Sequence, residues 1–359
     1  MKIITRYMVR THAGMIANCT GAFISIYLVI DFLERYGKFS RAGAPASAIA
    51  LYFLCKIPEI VSQTTPMAVL MGTILALSSL AKNSEITAMR SSGASLVLIG
   101  RPLLATAGII SILLLIMQEV IAPAASEKTR YIDEIVVQKK SQAAFFRQNN
   151  IWHRDENLIM QAKLFTPENS TLSGVTIWEI DSRMNPVSRT EAVTANYVSG
   201  GWILNEVTHR HFSDTGEVGT RKEHTYFSKI NLMPADLKVV AKSAEDMGFT
   251  ALRHYCKTIQ ENGYDATSYR TLMHAKISLP FAALIMAFLG IPFSLRDGRS
   301  GGIGVGIVIS IVIGFSYFVI NALILSLGQQ GALPPIVAAW TSNLVFAGAG
   351  LWFTLTLDT

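Results

Sequence analysis

Six apolar stretches dominate this sequence, and each is long enough to cross a membrane. Spanning the hydrocarbon core of a bilayer as an α-helix takes about 20 mostly apolar residues. The stretches cover residues 13–33, 48–80, 103–121, 277–295, 303–327 and 336–355. Lipid offers no partner for backbone N–H and C=O groups, so such stretches must be helical. The sequence therefore predicts an α-helical polytopic membrane protein with six transmembrane helices in a 3+3 arrangement.

The second stretch is longer than one span and contains Pro58 and Pro66. Proline removes a backbone donor and disturbs the interior of a helix. We therefore expect a break there, with a tilted or interfacial first part and a spanning helix from about residue 57.

Composition agrees with a membrane protein. The mean hydropathy is +0.37, and only 16% of residues are charged, which argues against an ordinary soluble enzyme. The first apolar run is too long for a cleavable signal peptide and is predicted to be retained as a helix. Cys19, Cys55 and Cys256 fall in or beside separate helices, so a disulfide framework is not expected.

The distribution of basic residues predicts orientation, because Lys and Arg concentrate in short cytoplasmic loops. With the N-terminus inside, eight basic residues lie in inner segments: Lys2, Arg6, Arg10, Lys82, Arg90, Arg101, Arg296 and Arg299. Three lie in outer loops: Arg35, Lys38 and Arg41. Both termini are therefore predicted to be cytoplasmic, and the large middle segment to lie outside.

Residues 139–235 have short alternating stretches between turn clusters, a pattern typical of an antiparallel sandwich or open barrel. The predicted domains are 1–138, with the first three membrane helices; 139–246, an inserted all-β domain; and 247–359, with a linker helix over 249–269 and the last three membrane helices. His209 and His211 share one strand face and could bind a metal. Ordinary strand histidines are the favoured interpretation, since no third ligand is near.

Motifs for chemistry are missing. The sequence has no G-x-x-x-x-G-K-[ST] loop for nucleotide phosphates, and neither H-E-x-x-H nor G-x-S-x-G. We therefore predict no catalytic residues, no metal site and no cofactor bound by this chain.

A polar segment, AKNSEITAMRSSG at residues 81–93, separates the second and third apolar stretches. It predicts a short helix over 84–93, with Ser84 capping its start and Gly93 ending it in the left-handed conformation. Ile86 and Met89 would share one face. Two interpretations stay open: a rigid connector for a cytoplasmic partner, or an ordinary loop helix lying on the membrane.

Several motifs together resemble a known family. S-E-I-x-A-M-R-x-x-G follows the Pro-containing second span, and Glu119-Val-Ile-Ala-Pro123 ends the third. LRHYCKTIQENGYDATSYR, GIPFSLRDGRSGG and LPP-x-x-AAW-x-x-N follow in order. This order and spacing, over nearly the whole chain, are similar to the LptF/LptG permeases of the lipopolysaccharide export ABC transporter of Gram-negative bacteria. The segment LRHYCKTIQENGYDATSYR, just before the fourth span, and the closing LPP-x-x-AAW-x-x-N are closer to the LptG branch, although the LptF branch is not excluded.

The resemblance implies roles for particular residues. The segment 84–93 corresponds to the coupling helix that contacts the ATPase, and Glu85, Ile86, Met89 and Arg90 would form that contact. The middle domain would be a periplasmic β-jellyroll.

Basic residues at the outer end would bind the phosphates of the lipid head group. The candidates are Lys38, Arg130, Arg35 and Arg41. Asp31 and Asp133 stand where the family has basic residues, which weakens the set. These charges could instead extend into the head-group layer without binding substrate.

The implied function is a permease that extracts lipopolysaccharide from the outer leaflet of the inner membrane and passes it to a periplasmic bridge. The implied partners are an LptB-type ATPase dimer, which would use ATP and Mg²⁺, an LptF-type six-span paralogue, an LptC-type single-span protein and an LptA-type bridge, with no nucleic acid. The first and fifth helices would act as gates. Two alternatives remain: a lipoprotein-releasing or other ABC permease, and a non-transporting membrane scaffold.

Overall fold

A computed structural model describes residues 2–93, 95–137, 148–155, 157–166, 169–181, 185–198, 200–212, 218–230, 232–234, 244–261, 265–297 and 303–356. The chain divides into two compact units. The transmembrane unit contains Met1–Ile132, Glu245–Arg253 and Thr267–Thr359; the sheet unit contains Asp133–Ala244 and His254–Ala266.

Nine α-helices occur among the described residues. They are α1 (Lys2–Ala42), α2 (Ala46–Lys82), α3 (Glu85–Ser91), α4 (Leu96–Ile116), α5 (Ala122–Tyr131), α6 (Phe249–Glu261), α7 (Thr267–Asp297), α8 (Ile303–Gln329) and α9 (Pro335–Leu355). Two π-helical turns, Met117–Ile121 and Ile132–Val137, join α4 and α5 into one long rod and extend it. Helices α1, α2, α7, α8 and α9 and this rod are long and apolar enough to cross a membrane, so the prediction of six spans is confirmed.

The predicted break in the second span is wrong. Helix α2 runs without interruption from Ala46 to Lys82 with both prolines inside it. A proline removes one backbone hydrogen bond, and packing against neighbouring helices keeps a membrane helix on its path. Pro66 is itself buried, and α2 packs against α1, α5, α7 and α8.

Helices α2 and α7 form the centre of the transmembrane unit. In each, 61% of the most apolar 18-residue segment is buried, whereas only 11% of the corresponding segment of α1 is buried. Close helix approach depends on Gly72 of α2, where an added Cβ would lie 2.9 Å from the Cα of Ile16 on α1. Small residues at such crossings let two backbones pack closely.

A buried polar bridge joins the last three membrane helices. Tyr317 Oη of α8 donates to Asn343 Oδ1 of α9 at 2.8 Å. Asn343 Nδ2 in turn donates to the backbone oxygen of Ser278 in α7 at 2.7 Å. Asn343 is 1% exposed, so all of its polar partners come from the protein. It is the asparagine that closes the C-terminal motif.

The sheet unit contains six antiparallel strands in sequential order. They are β1 (Gln148–Asp155), β2 (Leu158–Thr166), β3 (Thr171–Ile180), β4 (Pro186–Val198), β5 (Gly201–Phe212) and β6 (Val218–Ser228). The inserted all-β domain is confirmed, and β1 pairs with β2 and β4 with β5 as antiparallel neighbours. The described strands form one meander, a simpler order than the crossed connections of a double-sheet jellyroll.

One face of this sheet carries the unit's core. Its buried side chains include Phe165, Leu172, Trp202 and Leu204, and the segment after β6 adds Ile230 and Leu232. Trp202 Nε1 donates to the backbone oxygen of Leu232 at 2.9 Å, so the segment is held by a hydrogen bond as well as by packing.

The predicted linker helix over 249–269 is divided. Helix α6 ends at Glu261, and α7 begins at Thr267 and continues through the fourth span. Residues 262–264, which contain Gly263, lie outside the described residues.

We predict that Asn343→Ala lowers the stability of the transmembrane unit. The substitution leaves the Tyr317 hydroxyl and the Ser278 carbonyl without their partner, at a cost of about 1–3 kcal/mol. Thermal unfolding of the purified protein in detergent measures the effect. Leu344→Ala, at the adjacent exposed position, is the control and should unfold close to wild type. Equal losses in both variants would contradict the assignment.

Candidate functional site

Helix α3 is a separate two-turn helix that connects α2 to α4. Gly93 has φ +87°, so the predicted left-handed end is confirmed, and its N–H donates to the oxygen of Arg90 at 3.0 Å. The predicted Ser84 cap is wrong, because the Ser84 side chain accepts no hydrogen bond from the helix. A side-chain cap needs extended backbone, whereas Ser84 has φ +61°. Only its backbone oxygen serves the helix, accepting the N–H of Ala88 at 3.0 Å.

The apolar face of α3 packs inward. Ile86 is 6% exposed and Met89 is partly buried. Both contact a cluster from four other helices: Met8, Leu77, Leu80, Ile99, Leu103 and Ile291. Ile86 therefore packs α3 against the other helices of this chain, and almost none of its side-chain surface is left for a partner.

The polar face of α3 remains accessible. Arg90 is exposed and Glu85 is half-buried. Tyr7 Oη of α1 donates to Glu85 Oε1 at 3.2 Å, and Asn83 Nδ2 donates to the same oxygen at 3.5 Å. Tyr7 lies 78 positions away, and no local sequence pattern could have identified it. Of the four predicted partner contacts, Glu85, Arg90 and part of Met89 therefore remain accessible.

The basic candidates lie where α1 and the α4–α5 rod end. Helix α1 runs away from α3's end of the unit, α2 returns to it, and the rod leaves it again, so Lys38 and Arg130 are at the same end. Lys38 and Arg41 are exposed on the last turns of α1, and Arg130 is half-buried in the last turn of α5.

Arg35 is held by a carboxylate of its own helix and by an aromatic ring of α2. Its Nε donates to Asp31 Oδ1 at 2.9 Å, and its guanidinium lies 5.2 Å from the centre of the Tyr52 ring. Asp31, the residue that departs from the family pattern, thus binds a neighbouring arginine. Such a pair leaves less charge for an external anion than an exposed lysine does.

An aromatic cluster fixes the end of α1 against the start of α2. Its rings are Phe32, Tyr36, Phe39, Tyr52 and Phe53, with centroids 5.2–6.0 Å apart. Aromatic pairs at such distances pack with tilted or edge-on geometry. Phe39 is 3% exposed, so the neighbouring Lys38 extends outward from an immobile turn.

Several peripheral helices, among them α1, α4 and α8, expose apolar faces. On α1, Ile26, Val29, Ile30 and Leu33 follow helical spacing and are all more than half exposed. On α8, Val308, Val312, Phe315 and Leu323 do the same. These faces suit lipid tails or another apolar membrane protein, and they lie at the periphery of the bundle, since α2 and α7 occupy its centre.

A cavity of about 380 Å³, with both apolar and polar side chains in its wall, lies between α2, the first π-turn, α5, α7 and α8. Glu59, Gln63, Gln118 and Lys276 contribute its polar lining. Lys56 pairs with Glu59 at 2.9 Å, as their spacing predicts, and Lys276 lines the cavity as expected for a charge within a membrane helix.

The strand histidines have contacts within the sheet. His209 Nδ1 lies 2.9 Å from Thr190 Oγ1, and its ring stacks edge-on against Tyr226 at 4.6 Å. Over the described part of the chain, no three His, Cys, Asp or Glu side chains form a group suited to a metal ion.

Comparison with known proteins gives one consistent result. The family model "Lipopolysaccharide export system permease LptF/LptG" matches residues 6–356. The LptG permease protein of Escherichia coli K12 is 24% identical over 355 residues, which cover 98% of each chain. LptG of Haemophilus influenzae is 23% identical with the same coverage. LptF of Escherichia coli K12 is 23% identical over 372 residues, covering 98% of this chain and 94% of that protein. The fuller coverage is consistent with the LptG branch.

We predict that Ile86→Ala loosens α3, whereas Arg90→Ala does not. Shortening a buried isoleucine costs about 2–5 kcal/mol, and here the loss falls on the packing of a two-turn helix. Hydrogen–deuterium exchange over residues 84–93 should therefore accelerate in Ile86→Ala and stay near wild type in Arg90→Ala. Equal exchange in both variants would show that Ile86 does not hold the helix in place.

Proposed function

This chain belongs to the LptF/LptG family of lipopolysaccharide export permeases, and we propose how its described surfaces serve that activity. It is a permease subunit of the export system, a multi-pass protein of the bacterial inner membrane, and not an enzyme. The family match across six spans and an inserted sheet carries this conclusion. Neither a lipoprotein-releasing permease nor a non-transporting scaffold gains support from any feature of the chain.

We infer that both termini and α3 are cytoplasmic and that the sheet unit is periplasmic. The excess of Lys and Arg in the segments on the α3 side supports this orientation.

Helix α3 is then available to a cytoplasmic ATPase dimer of the LptB type. Its charged face, with Arg90 exposed and Glu85 half-buried, is open to a partner, while Ile86 secures the opposite face. A rigid contact of this kind can carry a coupling free energy from ATP binding to the membrane helices. ATP and Mg²⁺ would be bound by that partner.

The substrate sets the energetic problem. Each methylene of a lipid chain exposed to water costs about 0.8 kcal/mol, so a molecule with several tens of methylenes needs a continuous apolar route. The outward faces of α1 and α8 are suited to form one wall of such a route. We propose that a six-span paralogue of the LptF type supplies the other wall and that α1 and α8 act as gates.

Lipopolysaccharide would be extracted from the outer leaflet and transferred to the apolar face of the sheet. From there an LptC-type partner and an LptA-type bridge would carry it toward the outer membrane. The core around Phe165 and Trp202 makes one face of the sheet apolar, but these side chains are buried, so this face must open before it can take up lipid.

The phosphates of the head group would bind at the outer end. Lys38 is exposed beside the fixed turn of Phe39, which favours it as a charge-assisted donor. Arg130 and Arg41 are secondary candidates, and Arg35 acts mainly through Asp31.

We predict that Glu85→Arg and Arg90→Glu each weaken association with the ATPase without unfolding the permease. Charge reversal at a desolvated contact introduces repulsion of the kind that discriminates partners. Co-purification of the ATPase in detergent is the measurement. Glu34→Arg reverses an exposed charge near the end of α1 that lies away from α3, and this variant should co-purify with the ATPase as wild type does. Unchanged ATPase yield with both α3 variants would exclude this face of α3 as the docking site.

We predict that Lys38→Glu with Arg130→Glu reduces lipopolysaccharide capture about ten-fold or more. Each loss removes a charge-assisted contact worth about 1.5–3 kcal/mol, and 1.4 kcal/mol corresponds to ten-fold. Photo-crosslinking of lipopolysaccharide to α1 measures capture. Arg10→Glu, at the far end of α1, serves as the matched charge reversal. Wild-type crosslinking in the double variant would favour charges that only extend into the head-group layer.

A further inference from the structure

Glu119 lies in the third span, within the π-helical turn Met117–Ile121. Both of its carboxylate oxygens accept backbone N–H groups from the start of α6. Oε2 accepts from Phe249 at 2.7 Å, and Oε1 accepts from Thr250 at 3.1 Å. The first N–H groups of a helix have no partner within it, and the helix dipole favours negative charge there. One side chain, 130 positions away in sequence, thus caps α6.

The approach leaves little room for a side chain at Gly248. A Cβ added at Gly248 would lie 3.0 Å from the backbone oxygen of Glu119 and 3.0 Å from its Oε2. Gly248 also begins the helical bonding, since its oxygen accepts the N–H of Leu252 at 3.0 Å. Glu119 and Gly248 are therefore two halves of one contact, and each can be altered without changing the other.

The contact lies where the chain returns from the sheet unit. Residues Glu245–Arg253 belong to the transmembrane unit, whereas His254–Ala266 belong to the sheet unit. Met247, next to the contact, is 2% exposed. Glu119 thus holds the re-entering segment at its first helical turn, immediately before the chain passes again to residues of the sheet unit.

The π-turn favours a functional role over simple capping. π-turns are rare within α-helices and occur frequently at functional sites, because the extra residue changes the direction of the side chains. Here the turn interrupts a membrane-spanning rod at the residue that contacts α6.

We propose that Glu119 is a positioning residue for transport: it ties the third span to the start of α6, so that movements of the membrane helices reach the segment that returns from the sheet. This rests on the proposed function. Glu119 touches no substrate in this scheme. The contact serves transfer of lipopolysaccharide from the membrane helices to the sheet, and neither initial capture nor ATPase association depends on it.

The test compares Glu119→Gln and Gly248→Ala with wild type in the complete complex in membrane vesicles. The first variant removes the charge and one acceptor, and the second crowds Glu119, which must shift by a few tenths of an ångström to accommodate the added methyl group. Glu127→Gln is the control, because it neutralises another carboxylate on the same rod that is not the acceptor of these two amides. Photo-reactive residues at Ile30 on α1 and at Tyr197, at the margin of the sheet's core, report lipopolysaccharide in the membrane and on the sheet.

We expect both variants to keep ATPase association and crosslinking at Ile30 and to lose about ten-fold or more of the ATP-dependent crosslinking at Tyr197. Hydrogen–deuterium exchange of the peptide 247–253 should rise about ten-fold or more, as expected when charge-assisted hydrogen bonds are lost. The doubly substituted protein should be no worse than the more affected single variant, because both substitutions break one contact.

Three results would overturn the proposal. Faster exchange with normal crosslinking at Tyr197 would mean that Glu119 only caps a helix. Loss of assembly in both variants would make the contact a folding element. Additive losses in the double variant would show that Glu119 and Gly248 act independently and do not form one contact. Absence of crosslinking at either probe in wild type would instead contradict the proposed transport function.

Discussion

A backbone inside lipid has no water to bond with, and this single requirement decides most of the architecture. Every spanning segment must satisfy its own N–H and C=O groups, so the six apolar stretches are helices. The same requirement explains why α2 stays continuous through Pro58 and Pro66: with neighbours packed on several sides, a local loss of one hydrogen bond is cheaper than an open break. The strands, each bonded to its neighbour along the chain, form a separate unit.

The transmembrane unit has buried central helices and peripheral helices with outward apolar faces. Helices α2 and α7 are buried and joined to their neighbours by small residues and polar bridges such as Asn343. Helices α1 and α8 leave long apolar faces outward. A lipid exporter needs this division, because a surface that must exchange lipid for substrate cannot also be committed to the core.

Long-range contacts connect the functional parts. Tyr7 reaches Glu85 from α1, the Arg35–Asp31 pair is braced by Tyr52 of α2, and Glu119 holds the start of α6. Each contact joins a membrane-spanning helix to a segment at one of its ends. If a partner acts on α3, as proposed above, its effect can reach the opposite end of the unit through packed, rigid elements of this kind.

Sequence alone determined the six spans, the inserted β domain, the position of α3 and its glycine end, because hydropathy, alternation and backbone preference are local properties. It also identified the family, since the order of several loose motifs is itself informative. Tertiary structure decided which residues remain available. Ile86 has the same helical spacing as a surface contact but is buried, Ser84 adopts a backbone conformation that prevents capping, and Arg35 is engaged by Asp31. Nor could local pattern reveal that Glu119 caps α6, because that contact joins residues 130 positions apart and depends on how the helices pack.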